Sequence, residues 1–352
     1  MATESFASEV ETEVQGRLGI ITLNRPKALN ALNLAMVEQL DTVLAAWAVD
    51  PAVDAVLIRS ASERAFCAGG DVRSIGILPD PSERMSLGRA FFGTEYRVNW
   101  RINTFPKPFI ALIGGIAMGG GLGISVHGSH RIVSETLRLA MPETLLGLFP
   151  DIGATWFLTR CPGAVGRYLA LTGVSIGAAD ALAAGLATQH VPSSEFAALI
   201  AELSSASKLD RALVDAMVAR YAAPAEGGLI PERAVEIDRL FGGDDLETVL
   251  AQVGSASSTA AWIGEADAAL RRASPTSLRV TWRRMVEGRD RSIEQILEDD
   301  FRAAVRMVGS HDFAEGVRAI LVDKDGAPRW SPTLLAKVTE ADAAALLAPL
   351  DR

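Results

Sequence analysis

Short strand-like runs spaced along the first 140 residues constrain this chain more than any other feature. They lie at residues 18–23, 55–58, 109–113, 131–133 and 137–140. Several are continuously apolar rather than alternating, as expected of strands buried on both faces. Between the first two, residues 32–47 place Leu32, Met36, Leu40, Val43, Leu44 and Trp47 on one helical face, and Asp50-Pro51 stops the run. Strand, strand, helix then recurs, which predicts an α/β fold with layered, buried strands.

Beyond Leu158 the pattern turns helical. Residues 164–172, 177–184 and 199–221 read as helices, the second ending at Gly185. Pro224-Ala225-Glu226-Gly227-Gly228 reads as a linker, and later helices break at Gly242-Gly243, Ser274-Pro275 and Gly309. The expected organisation is a core domain over residues 1–222 and a mainly helical region over residues 223–352. No fixed-period repeat is present.

Composition narrows the function classes. Hydrophobic residues make up 49% of 352 and mean hydropathy is +0.21, enough for a sizeable core. A net charge of -9 and a pI near 5.1 argue against a general nucleic-acid or anionic-membrane binder. Cys67 and Cys161 make no disulfide framework, which fits a reducing compartment. Residues 1–14 are acidic and polar, without a basic or apolar targeting segment. The longest apolar candidate, residues 108–126, is broken by six glycines and falls short of a membrane span. These features predict a soluble, cytoplasmic protein.

The chemistry concentrates in two places. Residues 140–151 set Glu143 and Asp151 in an otherwise apolar run. Shortly upstream, Gly119-Gly120-Gly121 follows a strand-like run and opens a helix, leaving N–H groups bare. The loop Phe66-Cys67-Ala68-Gly69-Gly70-Asp71 is a second bare-backbone site. Two such N–H groups and two acids in apolar surroundings are parts suited to activating water beside a developing oxyanion. Spacing alone fits other readings equally: Glu143 as a helix cap, Asp151 as a turn residue, the glycines as close-packing positions.

Other motifs are weaker. The glycines match neither G-x-G-x-x-G nor a phosphate-binding G-x-x-x-x-G-K-[ST]. His127 and His130 have a metal-compatible spacing but no supporting ligands nearby, so His127 reads as a core residue and no metal site is expected. A G-x-S-x-G nucleophile elbow is absent. Arg279, Arg283, Arg284, Arg289, Arg318 and Lys324 are either solvated helix faces or partners for ligand phosphates.

Taken together, these residues resemble the crotonase (enoyl-CoA hydratase/isomerase) superfamily. The carriers are Leu23-Asn24-Arg25-Pro26, Ala28-Leu29-Asn30-Ala31-Leu32, the Phe66–Asp71 loop, Gly115 to Gly121, and Met141-Pro142-Glu143. Within it the chain is most similar to hydrolases of short branched β-hydroxyacyl-CoA. That similarity rests on Phe91-Phe92 with Glu95-Tyr96, Ser125-Val126-His127-Gly128, and Pro142-Glu143-Thr144 through Pro150-Asp151. It continues in Ser274-Pro275-Thr276-Ser277-Leu278, residues 312–319, Lys324-Asp325 and Pro328-Arg329-Trp330.

The resemblance implies a spiral of ββα units with a helical C-terminal region, and an acyl-CoA substrate. It gives Gly70 and Gly120 the oxyanion-hole N–H groups, Glu143 and Asp151 the catalytic acids, and Glu95 a substrate contact. It implies no metal or redox cofactor, and a homo-oligomer, trimer or hexamer. Hydratases of the superfamily carry a second glutamate where this chain has Gly123, while Asp151 stands where many have glycine. The expected activity is therefore thioester hydrolysis, with 3-hydroxyisobutyryl-CoA of valine degradation as the expected substrate. The rivals are an enoyl-CoA hydratase or isomerase, and a non-catalytic acyl-CoA-binding protein.

Overall fold

The computed structural model describes residues 8–350. Its strands are β1 (Val10–Gln15), β2 (Leu18–Leu23), β3 (Ala55–Ser60), β4 (Ala65–Cys67), β5 (Phe109–Ile113), β6 (Ile116–Met118), β7 (His130–Val133), β8 (Arg138–Ala140) and β9 (Gln189–His190). One sheet has the order β1-β2-β3-β5-β7-β9, and the other β4-β6-β8. Among these paired strands only β1–β2 is antiparallel. The chain alternates between the sheets: β3 then β4, β5 then β6, β7 then β8. Each such step ends in the second sheet, and the two glycine loops follow the C-terminal ends of β4 and β6 there.

Strands β2 and β5 of the larger sheet are buried on both faces, which explains their continuous apolar runs. Leu18, Ile20, Leu57, Ile110, Leu112 and Ile132 face one core cluster. Ile21, Leu23, Val56, Ile58, Ala111, Ile113 and Val133 face the other. The split follows the two-residue period of a strand.

The helices up to residue 222 are α1 (Leu34–Val49), α2 (Val72–Gly76), α3 (Pro81–Asn103), α4 (Gly120–Gly123), α5 (Ala154–Leu158), α6 (Val165–Thr172), α7 (Ala178–Ala183), α8 (Phe196–Ser205) and α9 (Arg211–Tyr221). The rest are α10 (Leu229–Phe241), α11 (Leu246–Ala256), α12 (Ala261–Arg272), α13 (Pro275–Glu287), α14 (Ile293–Val308), α15 (His311–Val317) and α16 (Glu340–Leu347). Among the described residues no helix is long and apolar enough to cross a membrane.

Several elements depart from the sequence reading. Strand β1 went unread because only Val10 is buried, and Glu11, Thr12 and Glu13 face solvent. Helix α1 starts at Leu34, because the Asn33 side chain accepts the Met36 N–H at 2.9 Å and caps it. The 199–221 run is two helices, with Asp210 capping the second through the Leu213 N–H at 3.0 Å.

Helix α3 is the largest omission. Asp80 caps it by accepting the Ser82 N–H at 2.8 Å, and Pro81 sits in its first turn. Its buried face mixes Phe91, Phe92, Val98 and Ile102 with Arg84, Glu95 and Asn99. Those polar members blur the apolar stripe by which an amphipathic helix is read.

The helical C-terminal region packs onto α3 and α2. Val308, Phe313 and Val317 lie in the same buried cluster as Ile75, Phe91 and Phe92. The approach is close enough that a Cβ on Gly88 would lie 2.8 Å from Val308, and one on Gly76 2.6 Å from Val317.

Candidate active site

Two backbone segments converge at the C-terminal ends of β4 and β6 in the smaller sheet. After β4, Leu32 bridges the loop: its N–H donates to Gly69 O at 2.8 Å, and its carbonyl accepts the Asp71 N–H at 2.8 Å. After β6, Gly119 takes φ 46° and the chain enters α4 at Gly120. Only glycine adopts such a backbone freely. Among the described residues neither Gly70 N–H nor Gly120 N–H donates a hydrogen bond within the chain. A Cβ on Gly120 would lie 3.0 Å from Gly70 N and would overlap Glu95 Oε1. The two donors are therefore neighbours, and glycine is required to keep them open.

Helix α3 lays a stripe of side chains over these glycines. Phe91 covers Gly70, Glu95 covers Gly120, and Asn99 covers Gly123. Their spacing of four residues puts them on one helical face. A Cβ on Gly123 would lie 2.7 Å from Asn99 Nδ2. The space a side chain at position 123 would need is thus taken by an α3 side chain.

Glu143 heads a short 3-10 turn, Glu143–Leu146, which Gly147 ends at φ 67°. Asp151 follows Pro150 and accepts the Tyr96 hydroxyl at 2.5 Å. Glu95, Glu143 and Asp151 are all buried and line one cavity of about 550 Å³ with Gly70 and Gly120. Among the described residues Glu95 Oε1 and Glu143 Oε2 have no hydrogen-bond partner.

Burial is the main force on these acids, because a dry site disfavours their charged forms. It pushes Glu95 well above the usual carboxylate range, helped by the charges of Asp151 and Glu143. It does the same to Glu143, helped by Asp151. Asp151 is raised to about 7 by burial and by the Asp300 charge, against the Tyr96 hydrogen bond, which favours its ionised form. The trio cannot hold three charges at once, so protons reside there near neutrality.

The structure brings all five sequence-derived residues, Gly70, Glu95, Gly120, Glu143 and Asp151, to this one cavity. Sequence reading gave no role to Tyr96 or Asn99, and on a further wall it singled out Lys324 alone, as a solvated residue or a phosphate partner. That wall is Ile320, Leu321 and Lys324, from the π-helical turn Arg318–Val322 and the residues after it. π-turns recur at functional sites. Nothing in the local pattern of Ile320 and Leu321 marks them for this place.

The basic residues divide in a way the sequence could not decide. Arg279 pairs with Glu247 and Glu340, and Arg318 with Glu315, Asp323 and Asp325. Arg284 is neither solvated nor free for a ligand: it is buried against Asp299 and Asp300. Of the six, only Lys324 lines the cavity. His127 is buried, with Nε2 2.8 Å from Ile152 O. Cys67 and Cys161 are buried free thiols.

A family model described as enoyl-CoA hydratase/isomerase matches residues 18–347. Among curated relatives, the mitochondrial 3-hydroxyisobutyryl-CoA hydrolase of Danio rerio is 41% identical over 345 residues, covering 97% of this chain and 89% of the relative. That of Homo sapiens is 38% identical over 341 residues, covering 96% and 87%. Two solved structures share the whole architecture at a TM-score of 0.88. One is a carnitinyl-CoA dehydratase from Mycobacterium thermoresistibile, 36% identical, with 98% of each chain covered. The other is an enoyl-CoA hydratase from Rhodobacter sphaeroides 2.4.1, 39% identical, covering 97% of this chain and 98% of that one.

These relatives correct one expectation. The hydrolases are named as mitochondrial, which overturns the cytoplasmic reading. Unpaired cysteines report a reducing environment and do not single out the cytoplasm. The matched family model, the relatives over nearly the full length and the ββα spiral with its facing glycine loops agree, and the chain belongs to the enoyl-CoA hydratase/isomerase family, the crotonase superfamily.

Proposed function

We infer that this chain hydrolyses the thioester of 3-hydroxyisobutyryl-CoA, or a closely similar short β-hydroxyacyl-CoA, to the free acid and CoA. The observation that carries this reading is the meeting of Gly70 N–H and Gly120 N–H beneath the buried acids Glu95, Glu143 and Asp151. The hydrolase relatives, about 40% identical over most of the chain, support the substrate class.

The thioester carbonyl oxygen sits between the two N–H donors. As an oxygen nucleophile adds to the carbonyl carbon, the oxygen between the donors gains the charge they stabilise. Removing one such donor typically costs about 10²–10³ in rate. Glu143 supplies the nucleophilic step in either of two ways. It takes a proton from water, whose oxygen forms the new C–O bond, or it attacks directly and water opens the resulting anhydride. In both, the C–S bond breaks with its electron pair on sulfur, and the thiolate takes up a proton. The sum is thioester plus water giving acid plus thiol. Asp151, held by Tyr96, orients the water or the acyl hydroxyl, and Glu95 contacts the substrate.

The rival reading, hydration of an enoyl-CoA, has support in the names of the two structural neighbours. It needs acids placed around the double bond, and here Asn99 fills the space over Gly123. A free-thiol assay on 3-hydroxyisobutyryl-CoA, run beside crotonyl-CoA hydration on one preparation, separates the two. Faster hydration than hydrolysis in kcat/KM replaces the hydrolase by a hydratase. Neither activity with retained CoA binding leaves a binding protein. A trimer or hexamer belongs to the same proposal, and sedimentation of the full chain tests it.

A further inference from the structure

Asp151 is followed by an unusual turn. Ile152 takes φ 55° and Gly153 φ 76°. The left-handed region suits glycine but is costly for a β-branched side chain, and such outliers persist only where surrounding structure holds them. Ile152 is fully buried, and both its carbonyl and the next N–H are anchored. His127 Nε2–H donates to Ile152 O at 2.8 Å. Burial holds the His127 pKa down to about 4, so its neutral ring carries the single proton on Nε2.

The other anchor comes from the C-terminal region. The Gly153 N–H donates to Asp300 Oδ2 at 2.8 Å. Asp300 Oδ1 accepts Arg284 Nη2 at 2.6 Å. Arg284 in turn donates to Asp299 Oδ2 at 2.7 Å and to Ile296 O at 2.9 Å. Each Asp300 oxygen accepts from an N–H donor, and these contacts favour the ionised carboxylate against the burial that raises its pKa. A buried ion pair is weak evidence for stability, since hydrophobic residues of similar volume often serve as well. Its aim at one turn calls for another account.

We propose that Asp300, oriented by Arg284, is a positioning residue for thioester cleavage: it fixes the strained Ile152-Gly153 turn and through it the Asp151 carboxylate. This rests on Asp151 acting in the proposed hydrolysis. The groups facing Asp300 are Arg284 from α13, Asp299 on its own helix, Tyr96 from α3 and Asp151 itself. Arg291 and Arg302 stand on Asp299, further out. The Asp300 charge raises Asp151, so its removal shifts Asp151 ionisation to lower pH.

The test compares Asp300→Asn, Asp300→Glu, Asp299→Asn and Asp151→Asn, each checked by circular dichroism and assayed for thiol release across pH. Asp300→Asn moves the acid limb of kcat/KM to lower pH. Asp300→Glu keeps the charge but displaces the acceptor by about one methylene. It lowers kcat about tenfold or more with KM within about threefold, as small misplacements in active sites do. It also decides the matter if Asp300→Asn does not fold. Asp299→Asn removes an equally buried charge from Arg284 and leaves the pH profile unmoved. A folded Asp300→Glu with wild-type kcat, or an Asp299→Asn profile shifted as far as that of Asp300→Asn, overturns the proposal. If Asp151→Asn itself hydrolyses normally, the role of Asp151 fails first; if it is inactive while both Asp300 variants match wild type, the positioning role alone fails.

Discussion

The ββα core and the C-terminal helices both reach the cavity, by different means. The core supplies the reacting groups from short contiguous segments: Gly70 after β4, Gly120 after β6, Glu143 and Asp151 within nine residues of each other. Sheet pairing fixes the two donors, because β4 and β6 are hydrogen-bonded neighbours. The C-terminal region brings none of the acids lining the cavity. It contributes the Ile320, Leu321 and Lys324 wall and the Arg284–Asp300 pair behind Asp151. The lesson is a division of labour. Chemistry is written locally into loops on a rigid sheet, and enclosure and orientation come from chain more than a hundred residues away.

The largest expected effect tests the core's side of this comparison. Glu143→Gln loses about 10²–10⁴ in hydrolysis, the usual contribution of general acid–base catalysis. Thiol release with folding checked by circular dichroism reads it. A folded variant keeping more than about a tenth of wild-type turnover removes Glu143 from that role.

Gly120→Ala comes next. The new methyl overlaps Glu95 Oε1 and crowds Gly70 N at 3.0 Å, so it closes the donor pair. A loss of about 10²–10³ in kcat is expected. Wild-type kcat would show that the carbonyl oxygen lies elsewhere.

Asp151→Asn tests whether the core sacrifices stability for its acids. Asp151 holds its proton more tightly when folded, at about 7, than at its ordinary 3.8. Its contribution to stability is therefore complete below about pH 4 and lost as pH rises through about 7. The variant hydrolyses poorly and has the higher Tm at pH 8, with the gap closing at low pH. Wild-type kcat/KM falls as pH drops through the same range, as Asp151 takes up its proton. A Tm gap that stays constant with pH contradicts this assignment.

Leu321→Ala probes the other region. It opens the wall without touching an acid, so KM rises by roughly tenfold at most, the scale of small losses in an apolar pocket, while kcat holds. A larger fall in kcat than in affinity would give the C-terminal wall a part in chemistry and erase the division of labour.

The smallest effect is the most discriminating. Gly123→Glu is expected to give no gain in crotonyl-CoA hydration, because Asn99 Nδ2 stands 2.7 Å from where its Cβ must go. Efficient hydration by this single variant would mean that acid identity alone, and not the α3 stripe, selects the reaction.

The elements read best from sequence have a strong local signal. Strands β2 and β5 are continuous apolar runs, and the breaks at Gly242, Ser274 and Gly309 fall at helix caps. Helix α3 escaped because Arg84, Glu95 and Asn99 interrupt its apolar face, and these are buried for the site or for packing. Arg284 was ambiguous because a helical arginine has the same local pattern whether it faces water or a buried aspartate.

The sequence by itself determined where glycine is needed and where acids sit in apolar surroundings, since both are short-range properties of contiguous residues. It also carried enough of the family's motifs to announce the ββα spiral. Only the tertiary structure decided that Tyr96 donates to Asp151, 55 residues away, that Asn99 occupies the space above Gly123, and that Asp300 holds Gly153 across 147 residues. Such contacts leave no periodic trace in a chain, because a side chain's partner is set by how distant elements pack and not by its neighbours in sequence.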